Sequence, residues 1–295
     1  MTRILVLTLG ALALLLVSSY VVGTLWIRAR EPVVTLELPP DVGGRLVDCG
    51  GFRVHIVERG EGPPVLVLHG TGGSTANWPD SVLDALAARH RIIALDMLGT
   101  GFSERSDAFA YGFALWNREL LGLLDALNIP RASIIGHSLG GYAALMFAAD
   151  HPDRVDRVVT IGSGFWAPWW FFVLLTPGAG EMYLAAQPYF GPTFSHVHEH
   201  QALQAYEIRG TRRSLLSYAR GSVWEAWSLR NKVEAVEAPV LQIHAALDEQ
   251  VPYSAAERLH GRLKASRLVR IEGSHHFVMI DAPQQLITEI EAFLG

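Results

Sequence analysis

Strand-like and helix-like segments alternate through most of this chain, and this alternation restricts the possible folds more than any other feature. Short β-branched or continuously apolar runs are separated by segments with helical spacing, and the runs lie at 65–68, 91–95, 132–135, 155–161, 240–244 and 267–271. A strand followed by a helix and a second strand forms a right-handed parallel crossover. The sequence therefore predicts an α/β fold with a doubly wound, mostly parallel sheet.

The chain begins with an uncharged apolar segment, 4–27, that is rich in Leu, Val and Ala. As a helix it would rise about 36 Å, which exceeds the thickness of the hydrocarbon core of a bilayer. Trp26, Arg28 and Arg30 end the segment in the way that an interfacial anchor does. We therefore expect residues 1–30 to form a single-pass membrane anchor. A cleaved signal peptide, with Arg3 as its positive region, is the alternative.

The side of the membrane is not decided by the positive charges, because they flank the apolar segment on both sides. A very short leading tail before a long folded body is typical of a signal anchor. We therefore expect the folded body to lie outside the cytoplasm.

Composition excludes several classes of function. The net charge is -5, and the chain has no Lys/Arg run, zinc-finger or RNP signature, so nucleic acid is not an expected partner. A single cysteine, Cys49, excludes an intrachain disulfide framework. No phosphate loop, dinucleotide fingerprint or metal framework is present, so no cofactor is implied. A histidine-rich cluster at 196–200 lacks the H-E-x-x-H pattern, and we interpret it as part of a solvated or cap-surface helix.

Residues 165–236 interrupt the alternation and lack convincing strands. This segment holds five of the eight tryptophans and opens with the aromatic residues Phe165, Trp166, Trp169, Trp170, Phe171 and Phe172. We expect an inserted helical cap that divides the α/β core into 31–164 and 237–295. Three interpretations of the aromatic residues stay open: they pack the cap onto the core, line a hydrophobic substrate site, or contact the bilayer beside the anchor.

A candidate nucleophile lies at the turn after the predicted strand 132–135. Here 136–140 read Gly-His-Ser-Leu-Gly, a G-x-S-x-G motif between a strand and a helix. In that position the serine lies on a strained turn that lifts its hydroxyl above the sheet, and the glycines leave room for neighbouring backbone. We predict Ser138 as a nucleophile rather than as part of a simple glycine-rich turn.

A serine nucleophile needs a general base, and the base needs an acid that orients it. Two adjacent histidines, His275 and His276, follow the last predicted strand and so lie at the carboxyl edge of the sheet. Asp248 follows the preceding strand at the same edge. The chain order Ser, Asp, His is compatible with a catalytic triad in which either histidine is the base.

From about residue 45 to its end, the chain resembles the α/β-hydrolase superfamily. The resemblance rests on residues at the predicted strand ends: His69 with Gly70, Asp96 with Gly99, Gly101 and Ser103, the Ser138 turn, Asp248 with Pro252, and His276 with Phe277 and Pro283. Such families usually carry Gly-x-Gly-His-Phe or a close variant at the catalytic histidine. Aligning Gly273 and Phe277 with that pattern gives His276 the catalytic position and leaves His275 where a small residue is usual.

The same resemblance implies an oxyanion hole formed by the backbone N–H groups of Thr71 and Leu139. Leu139 follows the nucleophile, and Thr71 follows His69 and Gly70. We interpret His69 and Asp96 as residues that hold loops rather than as catalytic groups.

The nucleophile narrows the chemistry, because haloalkane dehalogenases and most epoxide hydrolases of this fold carry an aspartate where Ser138 lies. We expect a carboxylic ester hydrolase that forms an acyl-enzyme and accepts a small hydrophobic ester. A C–C bond hydrolase of the meta-cleavage type, or a perhydrolase, would use the same triad. A non-catalytic ligand-binding protein on this scaffold is the alternative from another class.

Overall fold

A computed structural model describes residues 2–33, 37–166, 169–186 and 204–295 of the protein. Eight strands form one sheet in the order β1-β2-β4-β3-β5-β6-β7-β8. Their bounds are β1 Arg45–Asp48, β2 Arg53–Arg59, β3 Pro64–Leu68, β4 Arg91–Leu95, β5 Ala132–His137, β6 Val155–Ile161, β7 Val240–Ala245 and β8 Ser266–Ile271. The pairs β1–β2 and β2–β4 are antiparallel, and the other pairs are parallel. The predicted doubly wound, mostly parallel α/β fold is confirmed.

Helices connect the strands and extend beyond them. Their bounds are α1 Thr2–Arg30, α2 Asp80–Ala87, α3 Phe113–Ala126, α4 Leu139–Asp150, α5 Trp169–Leu175, α6 Ala179–Ala186, α7 Thr211–Lys232, α8 Tyr253–His260, α9 Val278–Asp281 and α10 Pro283–Leu294. Apolar residues of α3, α4 and α8 join one core cluster, and those of α2, α9 and α10 join another. The sheet therefore carries helices on both of its faces.

Strand β3 shows why a strand in the middle of this sheet can be apolar throughout. Leu66 and Leu68 belong to the core cluster on the α3–α4 side, whereas Val65 and Val67 belong to the cluster on the α2–α10 side. Successive side chains of a strand point to opposite faces, so a strand covered on both faces needs apolar residues at every position. Because β5, β6, β7 and β8 run parallel, their carboxyl ends meet at one edge of this buried sheet.

The helices α5, α6 and α7 lie between β6 and β7, and we refer to them together as the cap. In the structure α5 packs against both α6 and α7, and α6 also packs against α7. All three helices fall inside the segment 165–236 that the sequence predicts as an insert. The histidine-rich cluster at 196–200 lies outside the described residues.

Helix α1 is long and apolar enough to cross a membrane, as judged by its length and composition. Its C-terminal half packs along α6 of the cap. Gly23 lies against Glu181 so closely that an added Cβ would come within 2.6 Å of the Glu181 Cβ. Ile27 is 1% exposed and joins an apolar cluster with Leu174 and Leu184 of the cap. The end of the predicted anchor is thus a packed part of the folded protein.

The residues after α1 also contact the cap. Glu31 is buried and accepts hydrogen bonds from the backbone N–H groups of Gly210 (2.8 Å) and Arg212 (2.7 Å). Val33 forms a parallel β-bridge with Ile208. The sequence predicts that the hydrolase core begins at residue 31, whereas these contacts join residues 31–33 to the cap side of the molecule.

Candidate active site

Ser138 occupies the sharp turn between β5 and α4. Its backbone has φ 51° and ψ -114°, which is an uncommon and strained conformation for a residue other than glycine. The Ser138 N–H donates to the Ile161 carbonyl (2.7 Å), and the Ser163 hydroxyl donates to the Ser138 carbonyl (2.8 Å). These bonds from the end of β6 hold the strained turn. The Ser138 hydroxyl itself donates no hydrogen bond to any residue that the structure describes.

The glycines of the motif are required by close backbone approaches. A Cβ on Gly136 would lie 2.3 Å from the carbonyl carbon of Gly140, and a Cβ on Gly140 would lie 2.6 Å from the His69 carbonyl oxygen. Contacts this short cannot be relieved by turning a flexible side chain, because both involve backbone atoms. The motif therefore sets the geometry of the serine turn.

His276 and Asp248 are in direct contact. The distance between His276 Nδ1 and Asp248 Oδ2 is 2.7 Å, and both side chains are buried. The other oxygen of Asp248 accepts the backbone N–H groups of Gln250 (2.9 Å) and Val251 (2.8 Å). Since the carboxylate can only accept, the contact assigns the proton to Nδ1 and leaves Nε2 free to take a proton.

The electrostatics of Asp248 favour its ionised form. Burial alone would raise the pKa of this carboxyl, but the hydrogen bond and charge interaction with His276 and the backbone donors outweigh burial. Its pKa therefore lies below the ordinary value for aspartate. An ionised Asp248 can stabilise the imidazolium that forms when His276 accepts a proton.

His275 lies in a different environment from its neighbour. Its side chain is 62% exposed, and its Nδ1 lies 3.5 Å from Asp281 Oδ2. Its backbone N–H donates to the same carboxylate (2.7 Å). Of the two candidate bases, the structure brings His276 and not His275 to Asp248.

Ser138 and His276 both lie against the end of β6. The Ser138 N–H is bonded to Ile161, and a Cβ placed on the next residue, Gly162, would lie 3.2 Å from His276 Nδ1. On the other side, the ring centroids of His137 and His276 are 4.7 Å apart. The three residues predicted as a triad therefore lie at the same carboxyl edge, which β5, β6, β7 and β8 form.

The two predicted oxyanion donors lie beside this edge with their N–H groups unused. Leu139 is the first residue of α4, so its N–H has no partner inside the helix, and it bonds to no other described residue. The N–H of Thr71 likewise has no acceptor among the described residues, and the turn around it is closed by a bond from the Gly73 N–H to the Gly70 carbonyl (3.0 Å). Two unpaired donors next to a candidate nucleophile suit a developing oxyanion.

His69 holds the loop that carries Thr71. Its Nδ1 lies 2.7 Å from the Gly70 carbonyl, and its Nε2 accepts the Met97 N–H (3.0 Å) and lies 3.0 Å from the Thr100 hydroxyl. Burial lowers the pKa of His69, so the ring is neutral at pH 7. These bonds link the loop after β3 to the loop after β4.

Asp96 organises the loop after β4. It accepts from His55 Nδ1 (2.8 Å) and from the backbone N–H groups of Thr75 (2.6 Å) and Phe102 (2.7 Å). Burial alone would raise the pKa of Asp96, but His55 lowers it to about 2. His55, 41 residues earlier in the chain, was not identified in the sequence as the partner of this carboxylate.

His137 is a second residue whose role the sequence does not predict. It fills the variable position before Ser138, and its Nε2 lies 3.0 Å from the His276 backbone carbonyl. Burial, helped by the nearby His276, lowers the pKa of His137 to about 3, so it is neutral and donates through Nε2. The motif shows a histidine at this position, but only the fold shows that it supports the loop of the candidate base.

A narrow cleft lies between the core loops and α7 of the cap. Its lining consists of His69, Gly70, Gly72, Met97, Leu98, Thr100, Tyr111, Trp116, Leu139, Ser214, Leu215 and Tyr218. The lining is aromatic and aliphatic with a few hydroxyl groups, and no Arg or Lys occurs among these described residues. Because Leu139 borders the cleft, a molecule bound there would lie beside the candidate oxyanion donors.

A family model described as the alpha/beta hydrolase fold matches residues 63–283, which is most of the chain. The chain belongs to the α/β-hydrolase family. The matched range of this α/β hydrolase includes Ser138, Asp248 and His276, together with both candidate oxyanion donors.

Several relatives of this α/β hydrolase cover nearly its whole folded body. A 2-hydroxy-6-oxo-2,4-heptadienoate hydrolase of Pseudomonas putida is 29% identical over 272 residues, covering 85% of this chain and 96% of that protein. A pimeloyl-(acyl-carrier protein) methyl ester esterase of Aeromonas hydrophila is 30% identical over 259 residues, covering 81% and 98%. A crystal structure of the meta-cleavage product hydrolase CumD of Pseudomonas fluorescens superposes with a TM-score of 0.67 at 26% identity, covering 85% and 97%.

Proposed function

We propose that this α/β hydrolase uses Ser138 as nucleophile, His276 as general base and Asp248 as the acid that orients the base. The observation that carries the proposal is the 2.7 Å contact between His276 and Asp248 at the edge where the strained Ser138 turn lies. This arrangement leaves Nε2 of His276 as the nitrogen that takes the serine proton.

The proposed reaction begins when the Ser138 oxygen attacks a carbonyl carbon while His276 accepts the hydroxyl proton. The carbonyl oxygen becomes an oxyanion and accepts hydrogen bonds from the N–H groups of Leu139 and Thr71. The imidazolium then donates its proton to the leaving group, and an acyl-enzyme remains. Water, deprotonated by His276, attacks the acyl-enzyme and releases the acid.

The first candidate for the bond that is cleaved is a C–C bond of the meta-cleavage type. This candidate rests on relatives: the heptadienoate hydrolase of Pseudomonas putida and CumD each align with 85% of this chain. These relatives favour C–C cleavage over the ester cleavage expected from the sequence. In this reaction the proton from His276 would go to the carbon of the departing fragment.

A carboxylic ester is the second candidate, and the lining of the cleft favours it. No Arg or Lys occurs among the described lining residues, so none of these residues offers a cation to a dienoate carboxylate. Apolar side chains with a few hydroxyls suit a neutral hydrophobic ester better. The methyl ester esterase relative, at 30% identity, gives this candidate independent support.

The two candidates are separated by assaying the purified full chain in detergent against both substrate classes. One arm uses p-nitrophenyl esters of increasing acyl length, and the other uses a 2-hydroxy-6-oxo-dienoate of the meta-cleavage type. The class with the higher kcat/KM identifies the bond, and the Ser138→Ala variant is the control for both arms. Turnover that persists undiminished in Ser138→Ala would contradict the proposed mechanism.

We further propose that α1 is retained as a single-pass membrane anchor, with the folded body outside the cytoplasm. Cleavage near Ser19 or Gly23 would remove residues of α1 that pack on the cap, which favours retention over removal as a signal peptide. Membranes from cells that produce the full chain are expected to keep it through alkaline carbonate extraction. Its release into the supernatant would contradict the anchor.

A further inference from the structure

The contacts of α1 are difficult to reconcile with a cap that lies wholly in water. The uncharged segment 4–27 rises about 36 Å, against about 30 Å of hydrocarbon. Contact with the cap begins near Leu16 and Ser19, which lie against Gly178, and continues to Ile27. The part before Leu16 rises only about 18 Å, so about 12 Å of the stretch that packs on the cap must also lie in hydrocarbon.

Helix α6, which packs on this stretch of α1, also has a composition suited to the hydrocarbon core of the membrane. Between Phe165 and Ser195, Glu181 is the only charged residue in the sequence. Its side chain is 4% exposed, both of its oxygens accept from Arg220 of α7 at 3.0 Å, and one also accepts the Gly178 N–H at 2.8 Å. A carboxylate that is buried, paired and hydrogen-bonded in this way does not present its charge to lipid.

Helix α5 presents large apolar side chains outward beside α6. Trp169 is 70% exposed and Phe172 is 59% exposed, and the two lie three positions apart on one face of α5. Trp166, just before the helix, is 51% exposed. The Trp169 ring contacts Tyr183 of α6 at a centroid distance of 6.4 Å, so this face is continuous with the helix that packs on α1. A contiguous aromatic surface on a protein is typical of an interaction site, and tryptophan is favoured at the membrane interface.

We propose that α5 and α6 enter the lipid leaflet beside α1, so that this part of the cap lies in the membrane and the aromatic face of α5 contacts lipid. This inference rests on the proposed membrane anchor and goes beyond it, because a spanning helix joined to a flexible tether would leave the cap in water. It also places α7, which lines the cleft and packs on α5, next to the bilayer. A substrate dissolved in the membrane would therefore reach the cleft without crossing bulk water.

The experiment places a nitroxide spin label at single introduced cysteines in the full chain. The chain is reconstituted in vesicles of phosphatidylcholine and phosphatidylglycerol. The variants are Phe172→Cys on α5, Leu12→Cys on the free part of α1, and Glu61→Cys in the exposed loop before β3. Trp169→Cys repeats the α5 measurement in case Phe172→Cys folds poorly. The natural Cys49 is 1% exposed, so the parent chain gives the labelling background.

The measurement compares the collision rate of each label with oxygen, which dissolves in lipid, and with a neutral nickel chelate, which stays in water. We expect oxygen to dominate at Leu12→Cys, Phe172→Cys and Trp169→Cys, and the nickel chelate to dominate at Glu61→Cys. If the label at Leu12→Cys is in lipid while both α5 labels collide mainly with nickel, the anchor holds and this inference is wrong. Shielding of the α5 labels from both reagents would show a protein partner, such as a second copy, and would also overturn it. A label at Leu12→Cys in water would overturn the anchor and the inference together.

Discussion

At the scale of single residues, two adjacent histidines differ in every contact that matters for catalysis. His276 is 5% exposed and lies against Asp248, whereas the His275 side chain is 62% exposed and lies 3.5 Å from Asp281. The difference arises because His276 faces the end of β6, where Gly162 leaves room for its ring. A general base must lie within reach of the proton that it removes, so the geometry separates the two histidines before their acidities are considered.

Replacement of each histidine tests this assignment. We expect His276→Ala to lower kcat/KM by about three orders of magnitude or more, because the serine loses its base. We expect His275→Ala, the matched control, to change kcat/KM by less than about threefold, because exposed side chains outside a site contribute little. The measurement uses whichever substrate class the full chain turns over. A larger loss in His275→Ala than in His276→Ala would show that the assignment is reversed.

Two of the residues predicted from sequence, Ser138 and His276, lie in short local motifs. Ser138 was found from its glycines, and His276 was preferred over its neighbour from the spacing to Gly273 and Phe277. His137 could not be assigned a role in this way, because its bond to the His276 carbonyl joins residues 139 positions apart. Contacts of this kind depend on the register of the sheet rather than on local sequence.

At the scale of elements, hydrophobic periodicity located the strands well and the helix starts less well. The predicted strands at 91–95 and 155–161 coincide with β4 and β6. The sequence has helical spacing over 78–89, but α2 begins at Asp80, after Pro79. Residues 75–77 form a separate 3-10 turn capped by Ser74, and Trp78 is buried without being helical. An apolar residue before a helix is easily included in its periodic pattern, because burial does not require helical geometry.

The loop after β4 depends on a buried ion pair between elements distant in sequence. Asp96 connects the end of β4 to His55 of β2 and to the backbone of two loops. Burial alone would lower the pKa of His55, but Asp96 raises it above the ordinary value, as expected for a histidine paired with a carboxylate. Both partners therefore contribute to stability in their charged forms.

We expect Asp96→Asn to lower the free energy of unfolding by on the order of 2 kcal/mol near pH 6. The pKa of Asp96 is about 2 in the folded protein, below the value of about 3.9 in an unfolded chain. Its contribution is therefore present above about pH 4 and is lost as the pH falls towards 2. The His55 contribution is present below about pH 6.5 and is lost as the pH rises through its raised pKa.

Urea unfolding of the parent and the variant at several pH values measures this difference. The difference in unfolding free energy is expected to be largest between about pH 4 and 6.5 and to shrink at lower pH. Asp84→Asn is the matched control, because the Asp84 side chain is 64% exposed and its removal is expected to cost less than about 1 kcal/mol. A difference for Asp96→Asn that does not vary with pH would contradict the ion pair.

At the scale of the whole molecule, the unexpected feature is that α1 is part of the tertiary structure. Its length and composition predicted a membrane segment, but these properties say nothing about packing partners. The packing depends on small residues on both sides, Ser19 and Gly23 on α1 and Gly178 beside α6. Close approach of helices at small residues is common in membrane proteins, and it cannot be assigned to a partner helix from one sequence alone.

Two glycines of α1 provide a matched test of this packing. A Cβ on Gly23 would come within 2.8 Å of the backbone of Glu181 and Met182, whereas a Cβ on Gly10 would meet no atom within 4 Å. We expect Gly23→Val to lower the thermal midpoint of the full chain in detergent by roughly 3 to 8 °C. Gly10→Val is expected to leave the midpoint unchanged. Equal shifts in the two variants would show that α1 does not pack on the cap.

The most direct test of the central claim is whether Ser138 is an activated nucleophile. The full chain is treated with a fluorophosphonate, and the modified residue is located by mass spectrometry of its peptides. We predict a single adduct on Ser138, no adduct in Ser138→Ala, and strongly slowed labelling in His276→Ala because the base is missing. An unlabelled Ser138 in the folded parent chain, or labelling that is equally fast without His276, would contradict the proposed triad and favour a ligand-binding protein on this scaffold.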